Sequence, residues 1–109
     1  MNNLEQFPLN LHIKVTPEIA STNNSYISAG RCSSCPLARA TNAVIPDSYY
    51  AQVGSSVMIY SRNGNGTERA VYSMPDGAMK YIGIADRHAR GEKGAPAPEA
   101  AEFMLVRVR

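Results

Sequence analysis

Apolar and polar residues alternate with a period of two near the start of the chain. Leu9, Leu11, Ile13 and Val15 interleave with Asn10, His12 and Lys14, the pattern of a half-buried strand. Thr16-Pro17 ends it, because proline cannot extend a ladder of hydrogen bonds. One helical turn is predicted at 17–20, inside a polar loop over 17–31 whose length makes it a candidate binding loop. The period then changes. Leu37, Ala40 and Val44 recur at helical spacing and predict a helix over 36–44. Pro36 suits its first position, Cys35 its cap, and Ile45-Pro46-Asp47 its end. Residues 50–60 read as one strand with Val53, Val57 and Ile59 inward and a bulge at Gly54. Asn63-Gly64-Asn65-Gly66 is a turn signal. Residues 68–74 then return as a strand, so that 50–74 forms a β-hairpin. Ala78, Ile82, Ala85 and Ala89 mark a second helix through 89, opened by Pro75-Asp76-Gly77 and stopped at Gly91. A Gly/Pro/Ala-rich loop follows over 91–101. The last strand, 102–108, places Met104, Val106 and Val108 on one face.

The order β-α-β-β-α-β predicts an α+β fold, a ferredoxin-like sandwich with an antiparallel four-stranded sheet and two helices on one face. Strands one and three would be central, two and four the edges. Residues 1–8 are expected to be a flexible lead, and 9–109 a single domain. The 109 residues suit one domain. At 44% hydrophobic and 18% charged, the chain can build a modest core and does not resemble a disordered one. A net charge of +2 is weaker than that of proteins holding nucleic acid by charge alone. No stretch approaches the roughly 18 apolar residues of a membrane span. Met1-Asn2-Asn3-Leu4-Glu5-Gln6 has neither the basic start nor the apolar run of a secretory signal. A cytoplasmic protein with reduced thiols and no membrane partner is the expectation.

Both cysteines lie in Cys32-Ser33-Ser34-Cys35-Pro36-Leu37-Ala38-Arg39-Ala40. Three readings compete. A Cys-x-x-Cys pair supplies two of the four ligands of a zinc site, but His12 and His88 lack paired ligand spacing. A helix N-terminus lowers a cysteine pKa and favours redox chemistry, but the motif follows a long polar loop rather than a strand. Packing of Cys32 and Cys35 as small buried groups at the loop-to-helix junction is the simplest reading. No catalytic residues and no cofactor are assigned. Asp47, Asp76 and Asp86 sit in caps or on a helix face, Ser33 and Ser34 have no base beside them, and the Gly64/Gly66 loop precedes no helix.

Binding needs less special chemistry. The candidates are Tyr49 and Tyr50 at the start of an edge strand, Arg62 and Arg69 around the hairpin turn, the cluster Arg87, Arg90 and Lys93, and Arg107 and Arg109 at the chain's end. Tyrosine and arginine are enriched in interfaces. The edge strand through Val106, Arg107, Val108 and Arg109 is available for pairing with a partner or with a second copy, as a homodimer. The open sheet face would show Asn10, His12 and Lys14, with either Arg69 and Val71 or Ala70 and Tyr72 beside them. Such a face also suits nucleic acid, although the aromatic signature of RNA-recognition sheets is absent.

The cysteine motif resembles one found in small bacteriophage and prophage proteins of unassigned function. In those, a strand ending in Val-Thr precedes a polar loop, then Cys-x-x-Cys-Pro-aliphatic-Ala, a Pro-Asp/Glu-x-Ala helix and a short final strand. Val15-Thr16, the cysteine run, Met74-Pro75-Asp76-Gly77-Ala78 and 103–108 match it in order. The match covers the chain from about residue 11 onward. Gly77 departs from it, as does the long loop before the last strand. The resemblance implies a phage accessory protein with no known reaction, acting in the cytoplasm of the host cell. It favours a binder that blocks a host or bacterial-defence protein, as anti-CRISPR inhibitors do. The alternatives are a nucleic-acid-binding module on the open sheet face, and a metal or redox protein using the cysteine pair.

Overall fold

The computed structural model describes residues 6–21, 35–64 and 69–109, and the following concerns those residues. The elements are β1 (Asn10–Val15), α1 (Pro17–Ser21), α2 (Pro36–Asn42), β2 (Tyr49–Val53), β3 (Val57–Ser61), β4 (Arg69–Ser73), α3 (Asp76–Ala89) and β5 (Ala101–Arg107). They form one small α+β domain with a five-stranded, fully antiparallel sheet in the order β1-β5-β4-β3-β2.

Local chemistry sets the ends of these elements. Thr16 Oγ1 accepts the Ile19 N–H at 3.2 Å, capping α1 with Pro17 in its first turn. Cys35 is the N-cap of α2 and Pro36 opens it. Past the end of α3, Gly91 takes a φ of +73°, which suits glycine and lets the chain leave the helix. Arg39 Nη2 donates to the Ile19 carbonyl at 2.8 Å and ties α2 to α1.

The inner face of the sheet carries the core. Leu11, Ile13 and Val15 of β1 lie opposite Leu105, Phe103 and Ala101 of β5. Tyr72, Ala70, Ile59, Val57, Ala51 and Val53 continue the same face across β4, β3 and β2, all of them buried. Leu37, Ala38 and Ala40 of α2 and Ala78, Tyr81 and Ile82 of α3 close over them in one cluster. Tyr81 meets Phe103 edge-on with ring centres 5.6 Å apart.

Several expectations are corrected. The strand expected over 50–60 is two strands. Gly54 is not a bulge but part of a tight link, its N–H donating to the Ser56 carbonyl at 3.0 Å; β2, β3 and β4 thus pair in sequence order as an antiparallel set. The four-stranded ferredoxin-like order does not hold. The long connection after α3 delivers β5 into the slot between β1 and β4. The first strand therefore becomes an edge and the last becomes internal. Met104, Val106 and Val108 share a face as expected; it is the outer one, while Leu105 is buried. Of the lead expected to be flexible over 1–8, residues 1–5 lie outside the described residues, and Phe7 is buried with its ring 4.9 Å from that of Tyr49.

Candidate binding face

Among the described residues, the three helices lie on the inner face of the sheet, and the outer face presents exposed side chains. Cross-strand pairs define it. Asn10, His12 and Lys14 lie opposite Val106, Met104 and Glu102. Val106 lies opposite Ser73, Val71 opposite Met58, Arg69 opposite Tyr60, and Tyr60 opposite Tyr50. Of the two sets weighed for the fourth strand, Arg69 and Val71 face outward while Ala70 and Tyr72 face the core.

The face has three zones. At one end, Glu102 Oε1 sits 3.5 Å from His12 Nε2 and 3.6 Å from Lys14 Nζ. These groups are well exposed, and such pairs contribute little to stability. In the middle, Met104, Val106 and Val108 are 50%, 41% and 57% exposed. At the other end, Tyr50 stacks on Tyr60 with ring centres 5.4 Å apart. The Arg62 guanidinium lies 5.5 Å from the centre of the Tyr50 ring, held by a 2.7 Å hydrogen bond from Nε to the Asp47 carbonyl.

A β-bulge shapes the last corner. The N–H groups of Val108 and Arg109 both donate to the Val71 carbonyl, at 2.8 and 3.2 Å, and the Val71 N–H donates back to Arg109 at 3.0 Å. Two residues thus oppose one, which re-aims the chain. Arg109 becomes the partner of Val71 and joins the outer face beside Arg69.

The sequence candidates divide accordingly. Tyr50, Arg62, Arg69 and Arg109 gather on the outer face. Tyr49 is in the core. Arg107 points inward, its Nη1 donating to the Phe7 carbonyl at 2.9 Å and its Nε to that of Arg109 at 3.0 Å. It fastens the N-terminal segment to β5. The strand expected to offer Val106–Arg109 as a free edge is paired on both sides. The β2 edge is partly covered, since the Ala51 N–H donates to Asn42 Oδ1 at 2.8 Å. Arg87, Arg90 and Lys93 lie at the end of α3, on the helical side of the sheet, and Arg90 is paired with Asp86 at 2.9 Å. The apolar zone was missed as a site because 103–106 is apolar at every position, so the sequence does not say which of its residues face outward.

Other features offer less. Cys35 is buried at the start of α2, which suits packing. Cys32 and most of the candidate loop over 17–31 lie outside the described residues. Among the described residues no three His, Cys, Asp or Glu side chains gather as a metal site would need. Two shallow hollows flank the 96–101 segment. One, of about 310 Å³, is bounded by Tyr81, Ile84 and Pro96. The other is bounded by Pro17, Ala20 and His88. Both are lined mainly by proline and alanine. No described helix is long and apolar enough to cross a membrane. Neither family models, nor curated proteins, nor solved structures match this chain.

Proposed function

We propose that the protein acts by binding another protein through the outer face of its sheet. The observation that carries this is the exposed stripe Met104, Val106 and Val108, continuous with a tyrosine–arginine zone and opposite all three helices. Apolar side chains grouped on a surface and rimmed by polar ones are a common signature of protein interfaces. The further reading, a phage accessory protein inhibiting a host or bacterial-defence protein in the manner of anti-CRISPR inhibitors, rests on the motif resemblance. So does its placement in the host cytoplasm. The reading requires no cofactor and no catalytic group.

Nucleic acid fits this face less well. Single-strand binders offer aromatic rings on which bases stack. Tyr60 is buried here and Tyr50 is stacked on it, so these rings already spend their contacts within the protein. Methionine and valine in the middle of the face also offer little to a phosphate backbone.

The test is capture from host-cell lysate by the tagged chain, with and without nuclease. It compares the natural sequence with Val106→Glu on the outer face and Lys80→Glu on α3. The expected result is one stoichiometric protein that survives nuclease, is retained by Lys80→Glu and is lost with Val106→Glu. Partners that vanish with nuclease, or that ignore the Val106 substitution, would overturn the reading.

A further inference from the structure

We infer that the segment bound by this face is acidic, with its carboxylates seated on Arg62, Arg69 and Arg109 and its apolar side chains on Met104, Val106 and Val108. This rests on the outer face being the binding surface and adds the chemistry of the partner.

The placement of the three arginines carries the inference. Arg69 lies opposite Tyr60. Arg62 follows Tyr60 by two residues on the same chain direction and reaches over Tyr50. Arg109 lies opposite Val71, two residues beyond Arg69, because the bulge puts it there. With strands about 5 Å apart and a rise of about 3.3 Å per residue, Arg62 and Arg109 each start about 8 Å from Arg69. That spacing lets one segment of a few residues address all three. On the same face Glu102 is at the far end, beside His12 and Lys14. Among the described residues, the face carries its arginines toward the β3–β4 end, its apolar side chains along β5, and Glu102 with His12 and Lys14 at the β1 end. Guanidinium forks match carboxylates in bidentate geometry. The neighbouring valines and methionine favour a protein segment over a phosphate chain.

The probe is a fluorescein-labelled peptide of alternating leucine and glutamate, read by anisotropy against the whole protein, with an oligothymidylate and inorganic phosphate as competitors. The expected result is binding that weakens about tenfold with Arg62→Glu or Arg69→Glu, falls as salt rises, and is unchanged by Arg87→Glu at α3. Arg62→Gln and Arg69→Gln remove charge without adding a carboxylate, and they serve if the reversals disturb the fold. Absence of binding, indifference to both arginines, or displacement of the peptide by oligothymidylate would overturn the inference; the last would assign the arginines to nucleic acid. The lysate capture separates this failure from that of the broader reading. A partner lost with Val106→Glu but kept by Arg62→Glu and Arg69→Glu leaves the face as the interface and removes the acidic segment. A partner kept by all three removes both.

Discussion

Tyr72 and Tyr81 each carry a hydroxyl from a buried ring to a backbone carbonyl. Tyr72 donates to Pro8 at 2.5 Å and Tyr81 to Glu99 at 2.6 Å. Each bond fastens an irregular segment to the core, the chain before β1 in one case and the chain before β5 in the other. Burial raises both phenol pKa values above the ordinary one; Arg107 partly opposes this at Tyr72, while at Tyr81 Arg39 opposes it and Glu99 adds to it. The sign for stability follows. The folded state holds these protons to higher pH than the unfolded chain does, so their contribution is complete below the unfolded value of about 10 and is lost as pH rises past it. Urea midpoints should therefore fall on the alkaline side, and Tyr72→Phe combined with Tyr81→Phe should flatten that fall. At neutral pH each single substitution should cost about 1 kcal/mol, the net worth of one hydrogen bond. An alkaline slope unchanged in the double variant would assign it to other groups.

Two glycines of α3 and its exit predict opposite signs at the scale of the element. Gly83 lies within the helix, and no atom approaches within 4 Å of the place a Cβ would take. Gly83→Ala should stabilise the protein by about 0.5–1 kcal/mol, since alanine loses less backbone freedom on helix formation. Gly91 also has open space, but its φ of +73° disfavours any side chain. Gly91→Ala should cost about 1 kcal/mol. Thermal melting of the two variants checks both, and a shift of the same sign in each would refute the argument. This helix was legible because Ala78, Ile82 and Ala85 recur on one stripe between clear start and stop residues. The first strand was legible because Leu11, Ile13 and Val15 alternate without a break. Elsewhere the pattern is degenerate. Phe103-Met104-Leu105-Val106 is apolar at every position, so alternation does not say which half faces the core, and slipping by one residue exchanges the faces. Gly54-Ser55-Ser56 has no asparagine, aspartate or proline to announce a turn, so two strands read as one. The outer site was half legible: Tyr50, Arg62, Arg69 and Arg109 stood out by residue type, but that Arg109 shares their face depends on a bulge opposite Val71 that its own neighbours do not signal.

In the whole molecule, the position of β5 decides which residues fold the protein and which remain for a partner. A strand inserted between β1 and β4 is paired on both sides, so its backbone is committed and only its two faces differ. One face places Leu105 in the core; the other presents Met104 and Val106 to solvent. The consequence is a separation of stability from binding along a single strand. Leu105→Ala should cost about 2–5 kcal/mol, through lost burial and the cavity left among Leu11, Tyr72 and their neighbours. Met104→Thr and Val106→Thr keep strand-compatible residues at exposed positions and should stay within about 0.5 kcal/mol of the natural protein. Denaturant unfolding of the three variants checks the register directly. A large loss at Val106 with tolerance at Leu105 would reverse the faces and move the interface off the outer sheet. The predicted pattern instead leaves folded proteins in which capture of the partner can be lost without loss of the fold, as an interface built on a finished sheet requires.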